Sequence, residues 1–319
     1  MRFLRILIRF AEAIPMFFRN SREFGTTVAF WMSWAYVLPS KKGSAYMKGI
    51  LRFFQKDLAS LLAQYRTKAW EMPHPCRQTI WCCWLGGETS MPDIVKKCYT
   101  SMQNNAPADV QVELITEENY RKYVTLPEYI EEKYSRGILS PAHFSDVLRF
   151  SLLSRYGGMW LDATVFVSGP IPEDYFRQNY YTQKVADKER FPAEPSRAQW
   201  CGFIWAGAPE NPLFCFLRDS LYHYWQNYNT VIDYIFFDYI ILTAYHGLTI
   251  VKEIIDNQAP NNEDIWGLWE KINTAYHHTN LQQLFETNVF HKLSYKGELL
   301  KHTPQGETTV YGWLLGEEV

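Results

Sequence analysis

The residues best suited to chemistry lie close together, in the stretch HFSDVLRFSLLSRYGGMWLDAT at 143–164. Asp146 and Arg149, three apart on a helix, share a face, while Val147, Leu148, Leu152 and Leu153 can turn inward. Asp162 and Thr164, two apart on a strand, point to one side. Asp162 is a single carboxylate in an apolar run, and a charge there is costly unless something pairs with it. A divalent cation with oxygen ligands would satisfy Asp162 and neutralise the diphosphate of a nucleotide, leaving Asp146 and Arg149 to hold hydroxyls or phosphate. An ion pair of Arg149 with Asp146 or Asp162, with no ligand, accounts for the same positions equally well.

These side chains need a scaffold, and the surrounding pattern predicts one. QTIWCCWLGG (78–87) reads as a buried strand ending in a glycine turn, followed by a helix over 91–104 with Pro92 at its start. VQVELIT (110–116) is the second strand, with helical segments at 117–123 and in LPEYIEEKYSRG. A helix over 141–156 stops at Gly157-Gly158, and MWLDATVFV (159–167) is the third strand. Strands alternating with helices predict an α/β fold: a mostly parallel, Rossmann-like sheet flanked by helices, with ligands beyond the carboxyl ends of its strands. That rule singles out the turn after Trp84 and the segment around Asp162. Further on, a strand is expected within 199–209, helices over 213–228, 231–245 and 249–256, and short strands or ordered loop at 289–295 and 308–314. Asp233 and Asp238 fall in the apolar helix, where an unpaired carboxylate would cost several kcal/mol.

The first 70 residues read as helical, and MPHPC (72–76) separates an N-terminal extension, 1–74, from the main domain, 75–319. Arg2, Arg5, Arg9, Arg19 and Arg22 face a single acid, Glu12, within residues 1–22, and the apolar remainder could lie in the headgroup layer of an anionic membrane or dock on the protein's own core. The stretch TTVAFWMSWAYVL (26–38) is too short to span a bilayer, yet Trp31, Trp34 and Tyr36 suit an interfacial position, so residues 1–38 are expected to meet a membrane surface without crossing it. Over the whole chain charge is balanced, with 32 basic and 34 acidic residues, which excludes a global field that recruits nucleic acid. A hydrophobic content of 47% excludes disorder, and the 17% of aromatic residues serve either core packing or stacking on rings. The six cysteines contain no Cys-x-x-Cys pair, which fits free thiols in the cytoplasm.

The run SDVLRFSLLSRYGGMWLDATVF closely resembles the donor-site signature of DXD-type sugar transferases of the GT-A fold, and specifically the capsular polysaccharide synthesis proteins related to glycosyltransferase family 32. In these an S-D-x-L-R helix leads through Y-G-G into a W-L-D-A-T or L-D-x-D strand. TIWCCWLGG with MPDIVKKCYTSM, and ITEENY at 115–120, are similar to the family's first strand and helix and the end of its second strand. The similarity runs from about Gln78 to Pro172, with a weaker stretch at HKLSYK, 291–296.

The resemblance implies a hexosyltransferase-type enzyme that moves a sugar from a nucleotide-diphosphate donor, a UDP-sugar foremost, to a polysaccharide or lipid-linked oligosaccharide with retention. Capsule, exopolysaccharide or lipopolysaccharide synthesis would be its setting, at the cytoplasmic face of the inner membrane. A donor half would then span 78–172 and an acceptor half 173–319. Trp84, ahead of Leu85-Gly86, matches the tryptophan near the base; Asp146 and Arg149 match the pair on sugar and phosphate; Asp162 matches the first acid of the DXD motif, on ribose and on Mn²⁺ or Mg²⁺. Thr164 stands where the second acid is otherwise found, which leaves diphosphate oxygens, water and His291 to complete a metal shell, with Lys292 or Lys296 on phosphate. Asp238 is expected to face acceptor or donor sugar, an internal hydrogen bond or cap being the alternative. Front-face attack, with the leaving phosphate taking the acceptor proton, needs no separate base, and stabilising the diphosphate falls to the metal, Arg149 and a lysine. The missing second acid leaves room for a weakly active sugar-nucleotide scaffold, and the likeness to glucosylating toxins for a transferase acting on protein.

Overall fold

The computed structural model describes residues 2–38, 44–71, 78–192 and 194–318. Three parallel strands form its centre, with β1 (Thr79–Cys83) between β2 (Gln111–Ile115) and β3 (Gly158–Leu161). On the far side of β3 two antiparallel strands are added, β5 (Tyr180–Tyr181) and β6 (Ile204–Gly207), giving the order β2-β1-β3-β6-β5. Every residue of β1 and β3 is buried, as expected of strands covered on both faces. Their side chains alternate between two cores. Trp81, Cys83, Trp160 and Trp205 fill one, and Ile80, Cys82, Met159, Leu161 and Ile204 fill the other.

Helix α5 (Asp93–Asn105) covers the second face through Ile94, Val95, Cys98 and Met102, and α7 (Pro141–Tyr156) covers the first through Val147, Leu148, Leu152 and Leu153. The bounds of α7 follow from local chemistry. Ser140 accepts the His143 N–H at its start, Pro141 supplies a preset φ, and Gly157 and Gly158 take positive φ at its end. A Cβ on Gly157 would stand 2.6 Å from the Gly207 carbonyl oxygen, so this glycine also admits β6. Helices α6 (Glu128–Ser135), α8 (Pro212–Asn227), α9 (Phe236–Gly247), α10 (Thr249–Asn257), α11 (Gly267–Glu270) and α12 (His278–Thr287) complete the layers.

Four local expectations are corrected. The strand expected over 159–167 is divided: β3 ends at Leu161, the chain turns through 162–164 with the Val165 N–H donating to the Asp162 carbonyl at 2.8 Å, and β4 (Val165–Val167) pairs antiparallel with β7 (Phe290–Lys292) in a separate two-stranded sheet. The segment 117–123 yields only a 3₁₀ turn, Tyr120–Lys122. The apolar helix starts at Phe236, which leaves Asp233 outside it, where Oδ1 accepts the Ile235 N–H at 3.2 Å and Oδ2 accepts the Tyr46 hydroxyl. The expected strand or loop at 308–314 is helix α13 (Val310–Leu315), capped by the Thr309 hydroxyl.

The N-terminal helices α1 (Arg2–Phe24), α2 (Thr26–Val37), α3 (Ser44–Asp57) and α4 (Ala59–Thr67) divide by role. The linker MPHPC lies outside the described residues. Ile50, Phe54, Leu58 and Leu62 of the α3–α4 region enter the same core as α8 and α9, and Tyr65 and Tyr228 tie the two parts through Asp219 (2.5 Å) and Asp57 (2.6 Å). By contrast α1 and α2 pack mainly on each other and leave Leu7, Ile8, Phe10, Ile14, Phe18, Phe30, Trp34 and Tyr36 exposed. Among the described residues no helix is long and apolar enough to cross a membrane.

Candidate active site

A cleft of about 920 Å³ opens at the carboxyl ends of β1 and β3. Asp162 follows β3 directly, Trp84 follows β1, α7 brings Asp146 and Arg149, α9 brings Asp238, β7 brings Lys292 and the chain after it brings Lys296. Nine of the ten residues singled out in the sequence thus line one cavity of a size that holds a small-molecule ligand. The tenth, His291, does not.

Asp162 is the hub. Its Oδ1 accepts from Arg149 Nη2 at 2.9 Å and from Trp160 Nε1 at 2.8 Å; its Oδ2 accepts from Lys292 Nζ at 3.1 Å. The same ammonium donates to Thr164 Oγ1 at 2.7 Å. Burial by itself would raise the Asp162 carboxyl, but the charges of Lys292 and Arg149, with the hydrogen bonds from Trp160 and Lys292, hold it at about 2. The carboxylate is therefore ionised throughout the physiological range.

Arg149 is buried, its Nη1 lies 3.0 Å from Asp146 Oδ1, and its guanidinium sits 5.0 Å from the centre of the Trp160 ring. Nη1 is engaged in that ion pair, and Nε makes no hydrogen bond among the described residues. Asp146 has the opposite character to Asp162. Burial raises its carboxyl to about 7, against the pull of Arg149 and with the help of the Asp162 charge. Asp238 behaves alike, raised to about 7 by burial although Trp200 Nε1 donates to its Oδ1 at 2.7 Å. Its internal hydrogen bond and its place on the cleft wall therefore coexist.

At the mouth, Trp84 Nε1 donates to Ser90 Oγ at 2.9 Å and the ring meets Tyr295 edge to face, with centroids 5.4 Å apart. Gly86 is needed for this arrangement, because a Cβ there would stand 2.4 Å from Ser90 Oγ. Lys296 stands beyond Tyr295, 5.8 Å from its ring centre.

The structure withdraws His291 from the expected metal shell. The residue is fully buried, its ring lies 5.1 Å from that of Phe285, and Nε2 meets Ser168 Oγ at 3.0 Å. Burial lowers the ring to about 4, so it stays neutral in the packed layer behind β7. Without it the donor set does not fit a divalent cation. Asp162 already answers to two cationic side chains, the Thr164 hydroxyl is taken by one of them, and no three His, Cys, Asp or Glu side chains converge among the described residues.

Sequence reasoning missed Trp160, Trp200 and Tyr295. Trp160 was within reach of it, since residues two apart on an extended chain share a side and Trp160 precedes Asp162 by two. No local signal ties Trp200 to Asp238 or Tyr295 to Trp84.

Residues 36–312 match the family profile described as capsular polysaccharide synthesis protein. The chain belongs to that family. The match reaches back over α3 and α4, which share the main core, and so covers more than the 78–172 stretch that carried the sequence resemblance. Comparison with curated proteins gave no match. Among solved structures the chain is similar to one titled PaToxG Glycosyltransferase, at 14% identity and a TM-score of 0.38 over 61% of this chain and 78% of that one. Family membership places the cleft in a protein of capsular polysaccharide synthesis.

Proposed function

We propose that the protein transfers a hexosyl group from a nucleotide-diphosphate sugar, a UDP-sugar foremost, to a growing polysaccharide or lipid-linked oligosaccharide, with retention. One observation carries this reading: a carboxylate, a guanidinium and an ammonium meet beyond the carboxyl ends of parallel strands, below an aromatic mouth. Trp84, with Tyr295 at its edge, takes the base. Asp162 accepts hydroxyls of the ribose, Asp146 orients the donor sugar, and Arg149, Lys292 and Lys296 hold the diphosphate. Asp238 faces the sugar from the acceptor side. As the glycosidic bond breaks, negative charge moves onto the leaving diphosphate, where fixed cations stabilise it without having to reorganise. The leaving phosphate oxygen takes the proton of the attacking hydroxyl. Retention rests on the family resemblance to transferases that react on the front face of the donor.

The hairpin of α1 and α2 supplies the second half of the proposal. Its exposed Phe10, Phe18, Phe30 and Trp34, together with exposed Arg9, Arg19 and Arg22, match an anionic bilayer surface, and the cytoplasmic face of an inner membrane presents lipid-linked acceptors there. The test of the enzymatic reading is release of nucleotide from a panel of nucleotide sugars. Sustained turnover by the wild type, lost in Asp162→Asn with its fold kept by circular dichroism, is the expected result. Binding without turnover of any donor, with or without added acceptor glycans, would instead make the protein a sugar-nucleotide scaffold.

A further inference from the structure

The charge balance at Asp162 points beyond the site's general function. A divalent cation bound between two acids and a diphosphate needs its carboxylates free to ligate it. Here the second acid is replaced by Thr164, and the space that a metal would share between positions 162 and 164 holds the Lys292 ammonium, 3.1 Å from the carboxylate and 2.7 Å from the hydroxyl. The two features belong together: a neutral hydroxyl can accept from an ammonium without adding the charge that would call for a dication. Arg149 on Oδ1 and Lys292 on Oδ2 set two positive charges against Asp162, and Asp146, the other acid on Arg149, is raised by burial to about 7 and so is partly protonated near neutrality. The cluster thus carries no excess of negative charge to draw a dication, and its two cations are there to meet an anion. Lys292 is held in place by the antiparallel pairing of β7 with β4 and by its hydrogen bonds, and its ammonium lies 4.8 Å from the centre of the Phe203 ring. It is therefore preorganised for the task a bound cation would otherwise perform.

We propose that this centre binds and cleaves its donor without a divalent cation, the Lys292 ammonium on Asp162 and Thr164 standing in the metal's place and meeting the leaving diphosphate directly. The inference rests on the donor reading above. Lys292 and Arg149 stabilise the diphosphate as the bond from the anomeric carbon to the phosphate oxygen breaks and the acceptor's hydroxyl oxygen bonds to that carbon; the electron pair of the broken bond stays on the departing phosphate oxygen, which accepts the acceptor's proton. Lys292 keeps its own proton.

The experiment uses the full chain, freed of metal, and measures the affinity of a nucleoside diphosphate panel (UDP, GDP, ADP and CDP) by calorimetry in EDTA, in Mg²⁺ and in Mn²⁺. The best ligand is expected to bind within about threefold of the same affinity in all three. In parallel, the electron paramagnetic resonance signal of free Mn²⁺ should not be diminished by the protein beyond what the nucleotide alone removes. Affinity that rises more than threefold with Mn²⁺ or Mg²⁺, or Mn²⁺ taken up by the protein, overturns the inference and leaves the donor reading standing. Failure of every nucleotide in every buffer overturns the donor reading itself, and the inference with it. Lys292→Gln should bind about tenfold or more weakly in EDTA and, unlike the wild type, recover with Mn²⁺, since Asp162 Oδ2 is then free to ligate. Thr164→Asp, which leaves Lys292 in place, should show the same gained dependence. An unchanged affinity in both variants counts against Lys292 as the diphosphate's partner.

Discussion

The cleft and the α1–α2 hairpin handle exposure in opposite ways. In the cleft, charged groups that ordinarily face water are buried: Arg149 is 4% exposed, Asp146 and Asp238 8%. In the hairpin, side chains that ordinarily fill a core face outward, Phe10 at 60% and Phe18 at 63%. Each region departs from the usual partition in the direction that a specific partner would reverse. A diphosphate and sugar would engage the buried polar groups, and a bilayer would cover the exposed rings. The contrast teaches that stability and function are separable in the hairpin and inseparable in the cleft, because the hairpin's outward rings hold little together while Arg149 is the counter-charge of two acids.

The largest effect that would break this contrast lies at Arg149. Arg149→Met removes the guanidinium from both Asp146 and Asp162 and is expected to cost about 3 kcal/mol in urea unfolding, along with donor binding; a cost below about 1 kcal/mol would show that the buried pairs do not support the fold. On the hairpin the converse is expected. Phe10→Glu with Phe18→Glu should leave the melting temperature unchanged, while partition onto phosphatidylglycerol vesicles falls about tenfold or more, at about 2 kcal/mol for each ring withdrawn from the bilayer. Undiminished sedimentation with vesicles would end the membrane assignment.

A smaller effect is expected at the mouth, where Trp84→Ala should weaken nucleotide binding by about 1–3 kcal/mol as stacking is lost. An equal affinity would place the base elsewhere. The smallest effect is the pH dependence. Asp146 and Asp238 are raised to about 7 in the fold, so their protonated forms contribute stability that is lost as pH climbs from the usual carboxylate range through about 7. Asp162, held at about 2, has the opposite sign: its contribution is present above the usual carboxylate range and is lost as pH falls through about 2. Urea denaturation between about pH 5 and pH 8 should therefore show stability falling with pH, and Asp238→Asn should flatten that slope. A slope unaltered by the substitution would mean that this carboxyl ionises alike in the folded and unfolded chain.

Much of the cleft around Asp162 is legible in the amino-acid sequence. The cap at Ser140, the proline beside it and the glycine pair at 157–158 mark α7 in full, and the spacing of Asp146 and Arg149 on it puts both on one face. The dense apolar runs 79–83 and 158–161 are strands because β-branched, aromatic and thiol side chains pack well on a pleated, two-sided surface. Less is legible after Asp162. A nine-residue apolar run looks like one strand, yet the turn at 162–164 passes its second half to another sheet, because β7, over a hundred residues later, offers β4 a partner.

Local sequence therefore determined which residues could do chemistry and which elements carry them, since capping, periodicity and helical spacing act over a few residues. Tertiary structure decided the rest, above all which tail residue meets Asp162. His291 and Lys292 are neighbours on one strand and must point to opposite sides. The pairing of Phe166 with His291 and of Val165 with Lys292 sets which of the two faces the cleft, and one step of register would exchange them. That pairing joins segments more than 120 residues apart, so the choice between a packed histidine and a lysine facing Asp162 was made by long-range strand register, which no local pattern encodes.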